Sequence, residues 1–150
     1  VHTNIKLSDN NRTMTIVQDE QPYPDHPDRF HFWPQLMCKT GLTGRSYWEV
    51  EWRGGASVAV TYRGISRRGD RSDCRFGEND QSWRLSCSDN GHFVCHNNTG
   101  KTISSSSVSG RVAVYVDYPA GTLSFYRVSS DTLIHLCTFN TTFTDPLYPG

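Results

Sequence analysis

The sequence predicts an all-β fold. Apolar residues recur at period two along most of the chain, no window of a dozen residues places them at three and four spacing, and turn-forming residues punctuate at short intervals. Eight strands follow in order. Residues 13–18 (Thr-Met-Thr-Ile-Val-Gln) form the first, and 47–52 the second, with Trp48, Val50 and Trp52 on one face and Glu49 and Glu51 on the other. Residues 57–62 (Ser-Val-Ala-Val-Thr-Tyr) and 82–88 (Ser-Trp-Arg-Leu-Ser-Cys-Ser) are the third and fourth. Asp89-Asn90-Gly91 then supplies the positive φ angles of a tight hairpin into 92–96. Ser104-Ser-Ser-Ser107 reads as an exposed loop before 111–117, Pro119-Ala120-Gly121 turns the chain into 122–128, and 133–139 is the last strand. Strands spaced in this way belong to a sandwich or barrel.

Two irregular segments interrupt the pattern. Residues 19–34 hold four prolines, which remove ladder donors and exclude a central strand, and residues 63–80 are dense in Arg, Asp and Gly. Long ordered loops on a rigid sheet are where binding residues concentrate.

At 150 residues the chain fits one domain, able to bury roughly two thirds of the surface its unfolded form exposes. Fifteen basic and fifteen acidic side chains cancel, so no global field draws the domain onto nucleic acid or an anionic membrane. The apolar runs, such as Val112-Ala-Val-Tyr-Val116, are far shorter than the ~20 residues of a spanning helix. Five cysteines at irregular spacing, with no C-x-x-C, read as free thiols packed as small apolar groups, which favours a reducing compartment. Three N-x-Thr sequons, at Asn11, Asn97 and Asn140, would matter in a secreted chain.

Catalytic chemistry finds little support. Glu49 and Glu51 stand parallel on one strand face, about 6.5–7 Å apart, and do not flank a substrate. They read as a solvated or locally paired face with tryptophans behind it. No G-x-S-x-G elbow and no phosphate-cradling glycine loop is present, and no cofactor is implied. His92 and His96 share a face, which reads as a surface pair rather than a metal site. The run from Arg63 to Arg75 carries five arginines, a residue type enriched at interface hot spots.

The residues that remain resemble the PRY/SPRY, or B30.2, family. Leu7-Ser-Asp-Asn-Asn-Arg12 is similar to the PRY opening and Pro24-Asp-His-Pro-Asp-Arg-Phe30 to the stretch after it. Tyr47-Trp-Glu-Val-Glu51, Asn79-Asp-Gln-Ser-Trp83 and the run from Val116 to Tyr126 resemble three SPRY motifs. The look is nearest to the fish-type B30.2 domains of NLR-like receptors, tripartite-motif proteins and stonefish pore-forming toxins. Pro119 stands where the family carries an acid, a leading Leu-Asp-Pro segment is missing, and relatives continue past Tyr148-Pro-Gly150 into a last strand. That ending would leave one sheet edge open.

The resemblance implies a bent two-sheet antiparallel sandwich, with a PRY portion over 1–46 and a SPRY portion over 47–150. It implies a non-enzymatic module that grips a protein partner through variable loops, as part of a cytoplasmic innate-immune receptor or ubiquitin-ligase-type protein. The expected contacts are Asp25, His26, Arg29 and Phe30 on the first loop, Arg67, Arg68, Asp70 and Arg71 on the second, and Asn90 and His92 at the hairpin. Val58, Ser86 and Ser88 occupy the positions where the antibody-binding member has an acid and tryptophans. They join the candidates, and recognition of antibody Fc is not expected. The alternatives are a carbohydrate-binding sandwich and the C-terminal domain of a secreted toxin.

Overall fold

The computed structural model describes residues 1–103 and 108–150, so the serine run at 104–107 lies outside the described residues. Among the described residues eleven strands form three antiparallel sheets. A hairpin of β1 (Ile5–Ser8) and β2 (Thr13–Ile16) stands apart from two main sheets. One main sheet has four strands: β3 (Arg45–Glu51), β8 (Arg111–Asp117), β9 (Thr122–Ser129) and β10 (Thr132–Asn140), ordered β10-β9-β8-β3. The other has five: β4 (Ala56–Tyr62), β5 (Ser82–Ser88), β6 (Gly91–His96), β7 (Thr99–Ile103) and β11 (Leu147–Pro149), ordered β11-β4-β5-β6-β7. The sole helical element among the described residues is a 3-10 turn at Ser72–Cys74. The all-β antiparallel sandwich is therefore the fold.

Register explains the core. Three inward rows of the four-stranded sheet read Val50-Val112-Arg127-Ile134, Trp48-Val114-Phe125-Cys137 and Ser46-Val116-Leu123-Phe139. Facing them, the five-stranded sheet presents Ala56-Cys87-His92-Ile103, Val58-Leu85-Val94-Lys101 and Val60-Trp83-His96-Thr99. Their apolar members, except the exposed Ile134, join Trp52, Tyr62, Phe143 and Leu147 in one core cluster. At its centre Trp83 stacks on His96 at 4.5 Å and meets Tyr62 and Phe143 edge-on. The residues from Trp52 to Gly55 carry the chain between sheets, so the first row of each sheet lies at one end of the sandwich and the 63–80 loop at the other.

Three strands escaped the sequence reading. β7 (Thr-Gly-Lys-Thr-Ile) has no apolar alternation, since Gly100 and Lys101 interrupt it, and β1 and β11 are short. The β6–β7 turn is Asn97-Asn98, both residues at positive φ, and Ser130-Asp131 does the same for β9–β10. At the predicted Asp89-Asn90-Gly91 turn only Gly91 has a positive φ. The sheet edge expected to be open is partly covered: β11 pairs with β4 over three residues, and Ala59 and Gly150 exchange both backbone bonds.

Candidate recognition surface

The outward face of the five-stranded sheet is built in rows as regular as the core. Ser57-Ser86-Phe93-Thr102 form one and Ala59-Arg84-Cys95-Gly100 the next. The second row is covered. Phe30, Ile65, Phe76 and Met37 close over Ala59, Glu78 sits 3.8 Å from Arg84, and the Cys95 thiol donates to the Gly77 carbonyl at 3.1 Å. The first row stays open as a shallow depression of about 220 Å³, walled by Ser86, Ser88, Asn90, Phe93 and Thr102. The Phe93 ring on its wall lies over a glycine: a Cβ at Gly100 would lie 2.0 Å from the ring. The Ser57 and Ser86 hydroxyls hydrogen-bond to each other at 3.1 Å across it.

The two irregular segments make the covering layer and are fastened to each other. His31 N donates to the Arg67 carbonyl, Trp33 Nε1 to that of Arg71 and Gln35 Nε2 to that of Cys74, while Gln35 Oε1 accepts from Phe76 N at 2.8 Å. Arg67 lies over the Phe30 ring at 4.8 Å and Arg75 over Trp33 at 4.3 Å. Asn79 Nδ2 binds the carbonyls of Ser72, Asp73 and Arg75 inside the second loop. The result is a ridge from which Phe32 (56% exposed), Arg68, Asp70 and Arg71 project.

The structure sorts the expected contacts. Asp25, His26, Arg68, Asp70, Arg71, Ser88 and Asn90 are exposed, and Ser86 is half-buried beside the depression. Phe30, Val58 and His92 are corrected: at 2%, 4% and 2% exposure they face inward, away from the outward loop surface. Alternation puts Ser57 and Phe93, one residue away from the last two, on the outward face instead. Arg29 and Arg67 are half-buried braces. Arg29 donates to the carbonyls of Val1 and Pro24, and Arg67 to those of Ile65 and Arg63. The two histidines read as a surface pair are not one, since His92 is buried and His96 is stacked on Trp83 with Nδ1 at 2.8 Å from the Ser82 carbonyl. Phe32, exposed among prolines, and Trp33, half-buried under Arg75, stand on the same ridge and are not among the expected contacts.

Glu49 and Glu51 form a paired surface. Arg111, opposite Glu51 on the neighbouring strand, contacts Glu49 at 3.5 Å and also binds Glu51. Tyr47 donates to Glu49 at 2.7 Å, and that bond, with some burial, pushes the phenol up to about 12. Both carboxylates are engaged by the Arg111 cation. Among the described residues no three His, Cys, Asp or Glu side chains gather as metal ligands, and no helix is long and apolar enough to cross a membrane.

Comparison with known families decides the kinship. The SPRY domain matches residues 45–150 and the SPRY-associated domain, PRY, residues 1–42. This chain belongs to the SPRY family. The SPRY chain is 39% identical over 99% of its length to stonustoxin subunit beta of Synanceia horrida, and 33% identical over 98% to tripartite motif-containing protein 16 of Mus musculus. It spans 21% and 27% of those proteins. The stonustoxin structure superposes on 99% of the SPRY chain with a TM-score of 0.90 at 38% identity, covering 24% of that chain. The TRIM65 PSpry domain shares the fold, with a TM-score of 0.85 at 24% identity over 99% of this chain and 77% of that one.

Proposed function

We propose that this SPRY domain is a non-enzymatic protein-recognition module of a larger cytoplasmic protein, of the innate-immune-receptor or ubiquitin-ligase type. The observation that carries this is the loop ridge: two long loop segments are fastened to each other and to the sheet, yet leave Phe32, Arg68 and Arg71 in solvent. An exposed aromatic beside arginines is the composition of an interface hot spot. Preordering spares the partner the entropy of organising these loops. The open row of Ser57, Ser86 and Phe93 extends the surface with small hydroxyls and one ring. Five unpaired thiols support a reducing compartment.

The test is photo-crosslinking in the full-length protein, with the reactive residue placed at Phe32, at Ser88, and at Leu133 on the opposite sheet. Adducts are expected from the first two and not the third. Combined Phe32→Ala, Arg68→Ala and Arg71→Ala should weaken capture of the crosslinked partner at least about tenfold. Unchanged capture by a folded triple variant would sink the proposal. A second reading, a secreted toxin subunit, is favoured by the 39% identity to stonustoxin subunit beta. Mass spectrometry of the native protein separates the two, because secretion would put glycans on the exposed Asn11, Asn97 or Asn140.

A further inference from the structure

The end of the sandwich opposite the loop ridge holds an uncompensated cluster of donors. Arg127 on β9 and His92 on β6 both occupy inward positions in the first rows of their sheets, at the same end of the sandwich, near enough for the Arg127 charge to act on His92. Arg127 is 8% exposed and makes no hydrogen bond or ion pair among the described residues, and its Nε is buried without a partner. His92 is 2% exposed, and neither ring nitrogen has a partner. Trp52, at the crossover between the sheets, buries a third orphan in its Nε1. No inward position of either first row is an acid, and Glu49 and Glu51 face outward onto Arg111.

Buried polar groups are almost always hydrogen-bonded, so three orphans at one end of a core call for an occupant. Water would satisfy the N–H groups but leave the guanidinium charge uncompensated. An anion does both. The planar side of a guanidinium, Nε with one Nη, matches the two oxygens of a carboxylate.

We infer that this end of the sandwich is a carboxylate-binding site, in which Arg127 supplies the charge and His92 and Trp52 complete the donor set. The carboxylate comes either from a free small acid or from an acidic side chain of a bound protein. The site shares no residue with the loop ridge, so either proposal can fail without the other. Burial and then the Arg127 charge lower the pKa of His92, and Cys87, its register partner, is a thiol pushed up to about 12 by burial. A bound carboxylate offsets both effects on the imidazole. Binding therefore takes up a proton and tightens as pH falls.

The experiment is NMR on the 15N-labelled 150-residue chain, following the His92 ring nitrogens, Arg127 Nε and Trp52 Nε1. Two probes are titrated at constant ionic strength: sodium acetate, and a blocked Gly-Glu-Gly peptide with its Gln counterpart as control. Saturable shifts of all three resonances with acetate, a raised His92 pKa, and at least about tenfold weaker binding in Arg127→Met are expected. Tighter binding of the Glu peptide than of acetate points to a partner's side chain, and equal or weaker binding to a free acid. His92→Gln, which keeps a donor, guards against misfolding of the arginine variant and should retain acetate with its pH dependence lost. No saturable shift in the wild-type chain overturns the inference, as does an equal response to chloride.

Discussion

Phe30→Ala is expected to destabilise the domain by about 3–5 kcal/mol, the usual cost of emptying a buried phenylalanine site. The ring is 2% exposed and packs against Ala59, Ile65 and Phe76, with the Phe76 ring edge-on at 5.4 Å. It is also the platform for the Arg67 guanidinium. Removing it takes away the contact that presses both loops onto β4, so the loss should be felt first in the covering layer. Urea unfolding would give the total. Hydrogen exchange would place it, with the His31 amide, which donates to the Arg67 carbonyl, losing protection before the amides of β8. A cost below about 1 kcal/mol would show that the layer does not depend on this anchor.

The second large effect is backbone in origin. Gly121 has a φ of +71°, and a Cβ there would lie 2.0 Å from the Thr141 carbonyl oxygen. That backbone cannot move aside freely, because Thr141 N donates to the Gly121 carbonyl and Gly121 N to that of Tyr118. Gly121→Ala should therefore cost about 2–4 kcal/mol, combining left-handed strain with displacement of the strand end. Gly44 is the matched control: nothing lies within 4 Å of its added Cβ, so Gly44→Ala should stay within about 0.5 kcal/mol. Equal melting shifts in the two variants would refute the account.

Seven of the eight strands found by alternation are ones whose inward residues build the shared core, such as Trp83 and Leu85 on β5, and the eighth, β2, lies in the separate hairpin. β7 was missed because Gly100 and Lys101 break the pattern, and its signal lay in the Asn97-Asn98 turn. The two irregular segments were legible as loops, but which of their residues point outward was not. Val58 and His92 were chosen by position within a family pattern, and strand parity overrides position: Val58, Val60 and Tyr62 are the apolar set of β4, so Ser57 is outward. Phe30 and Arg67 show a different limit. The sequence marks them as an aromatic and an arginine in loops, yet whether such a group reaches out or braces inward depends on a neighbour from another segment, here each other.

Most hydrogen bonds that fasten the ridge end on a main-chain carbonyl: Arg67, Arg71 and Cys74 receive the first loop, and Ser72, Asp73 and Arg75 receive Asn79. A carbonyl is present whatever side chain its residue bears. Arg71 can thus hold Trp33 in place while its own side chain is replaced, and the same freedom extends to Ser72 and Asp73. Gln35 and Asn79, which do the gripping, have no such latitude. A lineage carrying this scaffold could exchange the lettering of its exposed ridge many times over and keep the same loop shape, changing what is recognised without refolding the recogniser.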